Sequence, residues 1–299
     1  MTVHIQFCLV QGGHFTMGEN KEKHKNKKLK QHYWISRYPI TNAQFKNFID
    51  EEAYFEQKYF IEAKKSEIWD NGKINDWWDK WRDKPDDYGK PFGLEDHPVV
   101  GITWFEALAY VRWLEKKWKT DGIISSDWEI SLPTEAQWEK AARGGKHVTQ
   151  SPIIANYYDL EEIHNVIMKK GFAKQKNVFP ERIYPWGNTF NSTRAHIEKG
   201  ERASTASVGE HPTGKSPYGC EDICGNVWEW TRSLDMEYPY RPNDGRENID
   251  DVNKRSRLII RGGAYYSDKD KGNCSFRRSN VPYYQNRYYG FRIVASNFK

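Results

Sequence analysis

The chain has 299 residues, 37% apolar but 15% aromatic, with 13 tryptophans; that ring content excludes intrinsic disorder and suits a loop-rich globular protein with a core of large side chains. At this length, one large domain or two small ones can bury a substantial core. The formal net charge is +5, and much of the excess sits in Lys21–Lys30 (KEKHKNKKLK), where no aromatic residue interleaves, so a solvated hairpin or loop is expected and nucleic-acid binding is not.

In chain order, short strands are expected at His4–Leu9, His14–Met17 and Gln31–Ser36. Thr41 with Gln44 forms the first capping box, opening a helix with Phe45, Phe48 and Ile49 on one face. Residues 54–96, with Trp69, Trp77, Trp78 and Trp81, read as an insertion packed by its own rings. Thr103 with Glu106 caps a second helix, with Ala107, Leu108, Val111 and Leu114 on one face, and Thr134 with Gln137 caps a short third helix ending near Arg143. Residues 146–179 read as another insertion. Long turn-rich stretches follow, at 209–219 and 239–250, before strands at Arg257–Arg261 and Phe291–Ala295. No second apolar core is evident, so a single α+β domain over 1–299 is expected, with both chain ends in one small antiparallel sheet. The cysteines at 8, 220, 224 and 274 match no disulfide framework, and Cys220-x-x-x-Cys224 is not the usual zinc spacing. No apolar run reaches the roughly 20 residues of a membrane span. The N-terminus lacks a signal-peptide pattern, so the chain as written is expected to be cytoplasmic, with surface display requiring a leader or partner.

The last third is the most informative. GNVWEW (Gly225–Trp230), RGG (Arg261–Gly263) and GFR (Gly290–Arg292) are glycine-anchored and read as a frame. Trp228 and Trp230 are expected in its core, with Arg261 and Arg292 bonded to loop carbonyls. Between RGG and GFR lies a segment crowded with Tyr, Asn, Ser and Asp and lacking apolar periodicity. Tyrosine offers large contact area at low entropic cost, so an exposed binding face is expected. Its candidates are Tyr265, Tyr266, Ser267, Asp268, Asp270, Asn273, Ser275, Tyr283, Tyr284, Asn286 and Tyr288, carried on two antiparallel stretches joined near Pro282. The alternatives are an ordinary surface loop, or tyrosines buried as core.

The ordered motifs GGHFTMG (Gly12–Gly18), YPITNAQFKNFI (Tyr38–Ile49), HPVVGITWFEALAYVRWL (His97–Leu114), ISLPTEAQWEKAARGG (Ile130–Gly145), YPWGN (Tyr184–Asn188), Val208–Thr231, RGGAYY and YYGFRIV (Tyr288–Val294) span nearly the whole chain. Together they resemble the formylglycine-generating enzyme family, the sulfatase-modifying factors. The resemblance implies a C-type-lectin-like α+β fold, loop-rich and poor in regular secondary structure. Oxidising members of that family hold copper with paired cysteines shortly after the RGG motif. The matching positions here are Ser267 and Gly272, and the lone nearby thiol, Cys274, cannot supply two soft sulfur ligands. The expectation is therefore a non-catalytic member with no required cofactor. Relatives that make sulfoxides carry a three-histidine iron site on an extra helical domain, and neither its pattern nor that domain is found here. Family members also hold calcium around the GNVWEW motif, and the matching positions are Cys224, Gly225, Val227 and Glu229; the alternative is that Glu229 pairs with a neighbouring arginine.

A subset of the family comprises the variable proteins of diversity-generating retroelements, in which adenine-directed mutagenesis rewrites a C-terminal segment. Residues 263–290 look similar, since Asn, Asp, Ser, Tyr and Gly are the kind of residues that can arise from AAC codons mutated at adenine. Lys and Gln do not, and would be fixed positions. The resulting expectation is a module that binds a protein or glycan through its C-terminal surface. The competing expectations are an enzyme with altered oxidative chemistry using Cys274, Arg277 or a metal, and a scaffold module of a larger assembly.

Overall fold

The computed structural model describes residues 4–19, 24–197 and 203–297, with the backbone alone for 24–28. All three capping boxes form: Thr41, Thr103 and Thr134 each accept a backbone N–H from the residue three positions on, whose own side chain returns to the cap N–H. They start helices Asn42–Asp50, Trp104–Thr120 and Glu135–Arg143. The middle one is buried on every side from Trp104 to Val111, not along one stripe. Its side chains share one core with Phe7, Trp34 and Trp128 from one sheet and Trp228, Trp230 and Phe291 from another. A helix enclosed by two layers has no solvent face to keep polar.

The larger sheet is five-stranded and antiparallel, in the order Ile154–Asn156, Gln6–Val10, Tyr33–Ser36, Val294–Asn297, Trp128–Ser131. Strands from both ends of the chain thus meet in one sheet, with Tyr33–Ser36 between them. A four-stranded sheet follows the order Arg278–Asn280, Leu258–Arg261, Trp228–Leu234, Tyr289–Phe291, and its last pairing is parallel. The single strand expected at Phe291–Ala295 is therefore two. The chain changes sheets at Arg292, because Phe291 and Ile293 bond outward through their carbonyls to Ile40 and Ser36. Such corners are how packed sheets share a strand.

The backbone of His24–Leu29 pairs with Gly13–Met17 as a hairpin. Lys21 to Lys23 of the basic run, and the side chains of 24–28, lie outside the described residues. Within 146–179, strand Ile154–Asn156 edges the large sheet, and helix Leu160–Lys170 has no side-chain cap at Asp159, so no capping signal marks it. Within 54–96, Trp69 stacks on Phe60 at 5.8 Å. Trp77, Trp78 and Trp81, expected to pack inside the segment, are instead about half exposed (45–53%). That segment is tied to the core by Glu106, which besides capping its helix receives Arg82 at 2.7 and 2.6 Å and the Tyr54 hydroxyl at 2.6 Å.

Candidate functional site

The frame is built from buried charges. Strand Trp228–Leu234 places Trp228 and Trp230 wholly inside. Glu229, between them, faces the other way and meets Arg292: Nε to Oε2 at 2.6 Å and Nη2 to Oε1 at 2.7 Å, while the Trp138 indole donates to Oε2 at 2.6 Å. The Arg292 guanidinium also donates to the carbonyls of Ser36, Arg37 and Glu221. Arg261 donates to Glu135 at 2.9 Å, to Glu139 at 2.7 Å and to the Phe276 carbonyl at 2.9 Å. Burial disfavours the charge on Arg261, but Glu135 and Glu139 outweigh it and its pKa is raised. The arginines do bond loop carbonyls as expected. The carboxylate partners of Arg261 were not foreseen, because ion pairs this far apart in sequence leave no local signal.

Of the two expectations for Glu229, the arginine pair is the one that forms. Both carboxylate oxygens are committed and the residue is fully buried, so Cys224, Gly225, Val227 and Glu229 do not fit calcium through that carboxylate. The copper positions do not fit their metal either. Ser267 closes a turn, its hydroxyl accepting from the Ala264 N–H at 3.1 Å. At Gly272, a Cβ would lie 2.7 Å from the Ile197 side chain and 2.8 Å from the Cys224 sulfur, leaving no room for a cysteine. All four cysteines are free and buried. Burial pushes the Cys274 thiol up to about 12, which keeps it protonated and poorly nucleophilic. Arg277 is held by Glu135 and the Met236 carbonyl.

The candidate binding residues divide. Tyr265, Ser267, Asn273 and Ser275 are buried, contrary to the exposed face expected of them. Tyr265 fills a cluster with Phe92, Val100 and Val227, while the Asn273 side-chain Oδ1 accepts from the N–H groups of Ser275 and Phe276. Short polar side chains that bond nearby backbone serve turns. Asp270 is exposed on the short turn Lys269–Gly272, and Asp268, at its N-cap, is partly exposed. Tyr266, Tyr283, Tyr284, Asn286 and Tyr288 are partly exposed and do come together. Tyr266 and Tyr288 are 4.7 Å apart between ring centres, Tyr284 and Tyr288 hydroxyls lie 3.4 Å apart, and Asn286 donates to the Tyr284 hydroxyl at 3.2 Å. The segment is not two antiparallel stretches joined near Pro282. Arg278–Asn280 pairs with Leu258–Arg261 instead, since that strand offers an open edge.

Trp77 and Trp78 complete the face, at 5.5 Å from Tyr283 and 5.5 Å from Tyr284 respectively. Loop 281–288 is held by its backbone: the carbonyls of Pro282, Tyr283, Asn286 and Tyr288 accept from Trp104, Trp77, Gly101 and Trp228. Gln285, a residue AAC codons do not produce, is the loop's one deeply buried polar anchor, donating to Asp86 at 2.5 Å and accepting from the Tyr88 hydroxyl at 2.8 Å. A cleft of about 530 Å³ lies elsewhere, beside Thr41, Lys46 and Glu95, and none of the candidate residues lines it. Among the described residues no helix is long and apolar enough to cross a membrane.

Residues 4–297 match the family model described as a sulfatase-modifying factor enzyme 1-like domain. Among curated relatives, an uncharacterized Bacillus subtilis protein, YfmG, is 28% identical over 96% of this chain and 54% of its own length. The Bos taurus formylglycine-generating enzyme is 24% identical over 89% of this chain and 66% of its own, and the Mus musculus inactive C-alpha-formylglycine-generating enzyme 2 is 26% identical over 88% and 74%. The chain spans about half or less of the first of these relatives, which extend beyond the shared domain. Among solved structures, Treponema denticola variable protein 1 has the same fold, with a TM-score of 0.59 and 16% identity over 98% of this chain and 95% of that one. PvdO from Pseudomonas aeruginosa gives 0.58 and 18% over 96% and 93%. Relatives of this domain thus include a formylglycine-generating enzyme and a protein named as an inactive one, and the match over nearly all of its length makes the chain a member of the sulfatase-modifying factor enzyme 1-like domain family.

Proposed function

We propose that this chain is a ligand-binding module that engages a protein or a glycan through the aromatic face of Tyr266, Tyr283, Tyr284 and Tyr288 with Trp77 and Trp78, and that it does not oxidise a substrate cysteine with copper. One observation carries the reading. Loop 281–288 is fixed through its backbone carbonyls and Gln285, while Tyr283, Tyr284 and Asn286 keep part of their surface in solvent. A loop held this way presents side chains without depending on them, and half-exposed rings supply contact area at low entropic cost. The face lies apart from the cleft beside Thr41 and its several aromatic rings offer a broad contact area, which suits a macromolecular ligand. The lectin-like frame and the AAC-type residues of 263–290 support the further reading of a retroelement variable protein.

The test is to replace Tyr283, Tyr284 and Tyr288 together by Asn and to probe arrays of glycans and proteins with both forms. A folded variant that loses or changes its array ligands supports the proposal. A variant that unfolds, or one that binds the same ligands equally well, overturns it. A near-copy of the DNA for residues 263–290 beside a reverse-transcriptase gene would support the retroelement reading. Incubation with copper, oxygen and a Cys-containing peptide should leave the peptide sulfur in place by mass spectrometry.

A further inference from the structure

Away from the aromatic face, His196, Glu210 and His211 converge. One ring nitrogen of each histidine and a carboxylate oxygen of Glu210 all lie within 4.8 Å of one another. We infer that these three residues bind a borderline transition-metal ion such as Zn²⁺, Co²⁺ or Ni²⁺. His211 Nδ1 lies 3.0 Å from the Thr193 carbonyl and His196 Nε2 lies 2.9 Å from the Ser204 carbonyl. A carbonyl only accepts, so in a neutral His211 ring Nδ1 carries the proton and Nε2 carries the lone pair. This backbone-oriented imidazole is the usual outer support of a metal-binding histidine.

His211 Nε2 is the telling atom. It is buried from solvent and has no hydrogen-bond partner among the described residues. Glu210 Oε1 is 4.0 Å away, too far for a hydrogen bond. A buried polar atom left this way is costly, and a cation between the nitrogen and the carboxylate removes the cost. Tetrahedral ligands about 2.0–2.1 Å from zinc sit roughly 3.4 Å apart, so the site closes by about 1 Å. Glu210, with its side chain 52% exposed, is free to make that movement.

Two imidazoles and one carboxylate suit zinc, cobalt or nickel and not calcium, which takes six or more oxygens. Three protein ligands leave a fourth position for water or an incoming donor atom. The set is separate from Cys224, Gly225, Val227 and Glu229, yet mechanically joined to them. The His196 carbonyl accepts from the Asn226 N–H at 2.8 Å, and a Cβ at Gly225 would stand 2.5 Å from that same oxygen. The metal therefore clips the loop carrying Glu210 and His211 to the turn that begins the frame.

The experiment uses tag-free protein stripped with a chelator and titrated with Co²⁺ alone, read by the visible absorption of the bound ion. One equivalent should bind, Zn²⁺ should displace it, and Ca²⁺ in excess should not. Glu210→Gln and His211→Gln should each weaken binding at least tenfold while circular dichroism stays unchanged. Absence of saturable binding, displacement by Ca²⁺, or unchanged affinity in the variants would overturn the assignment. If His211→Gln fails to fold, Glu210→Gln decides the matter, because Glu210 is exposed.

Discussion

The frame and the loop it carries are held by opposite means. In the frame, side chains hold backbone: Arg261 and Arg292 are fully buried, each paired with carboxylate oxygens and also donating to loop carbonyls. In loop 281–288, backbone holds backbone, and all the side chains except Pro282 and Gln285 keep some solvent exposure. The difference teaches where substitution is tolerated. A buried charge whose partner is removed is left uncompensated, whereas a half-exposed ring whose backbone is already anchored can be exchanged.

The comparison can be broken most sharply at Arg292. Arg292→Met strands the Glu229 carboxylate and should cost about 3–5 kcal/mol in a urea titration, with Glu229→Gln added on the same chain costing much less than the sum. A midpoint unchanged by Arg292→Met would show the frame is not held by charge.

A second test concerns Lys140, which is also buried in the frame but donates to a carbonyl, that of Gly13 at 2.8 Å. Burial lowers its pKa to about 7, below the roughly 10.4 of an unfolded chain. Between those values the unfolded state binds more protons, so this residue makes stability rise with pH from about 7 to about 10, with its full cost present below 7. The gain is bounded by about 5 kcal/mol. Lys140→Met should raise the urea midpoint at pH 7 and flatten its slope between pH 7 and 9. A wild-type midpoint that does not rise over that interval counts against a neutralised Lys140.

Gln285→Ala sharpens the comparison from the loop side. It leaves Asp86 Oδ2 and the Tyr88 hydroxyl without that partner and should cost about 1–3 kcal/mol, the one large loss within 281–288. Tyr283→Ser and Asn286→Asp should each stay within about 0.5 kcal/mol of the parent by thermal melting. A larger loss from either would mean that the face is part of the core.

What the sequence made legible was local or motif-borne. Three Thr-x-x-Gln/Glu pairs marked three helix starts, and the RGG, GNVWEW and GFR motifs marked the frame, because each carries its partners within a few residues or within a known pattern. Less legible was whatever depends on distant pairing. The bond from Glu106 to Arg82, the packing of Trp77 and Trp78 on Tyr283 and Tyr284, and the change of sheet at Arg292 join residues with no local signature. Helix Leu160–Lys170 lacked the cap that would have marked it. The candidate residues divide for the same reason: Tyr, Asn and Ser in an irregular segment look alike whether they are buried capping turns, as Asn273 is, or keep part of their surface in solvent, as Tyr283 does.

The parallel pairing of Trp228–Leu234 with Tyr289–Phe291, with Leu258–Arg261 on the other flank, makes residues 262–288 a crossover and not a hairpin. Its two ends cannot find each other by closing a short loop, and must wait until strands distant in sequence have docked. The aromatic face is therefore assembled late, on a scaffold already committed. Exchanging its exposed side chains should leave the rate of folding where it was, because the barrier has been crossed before those side chains have neighbours.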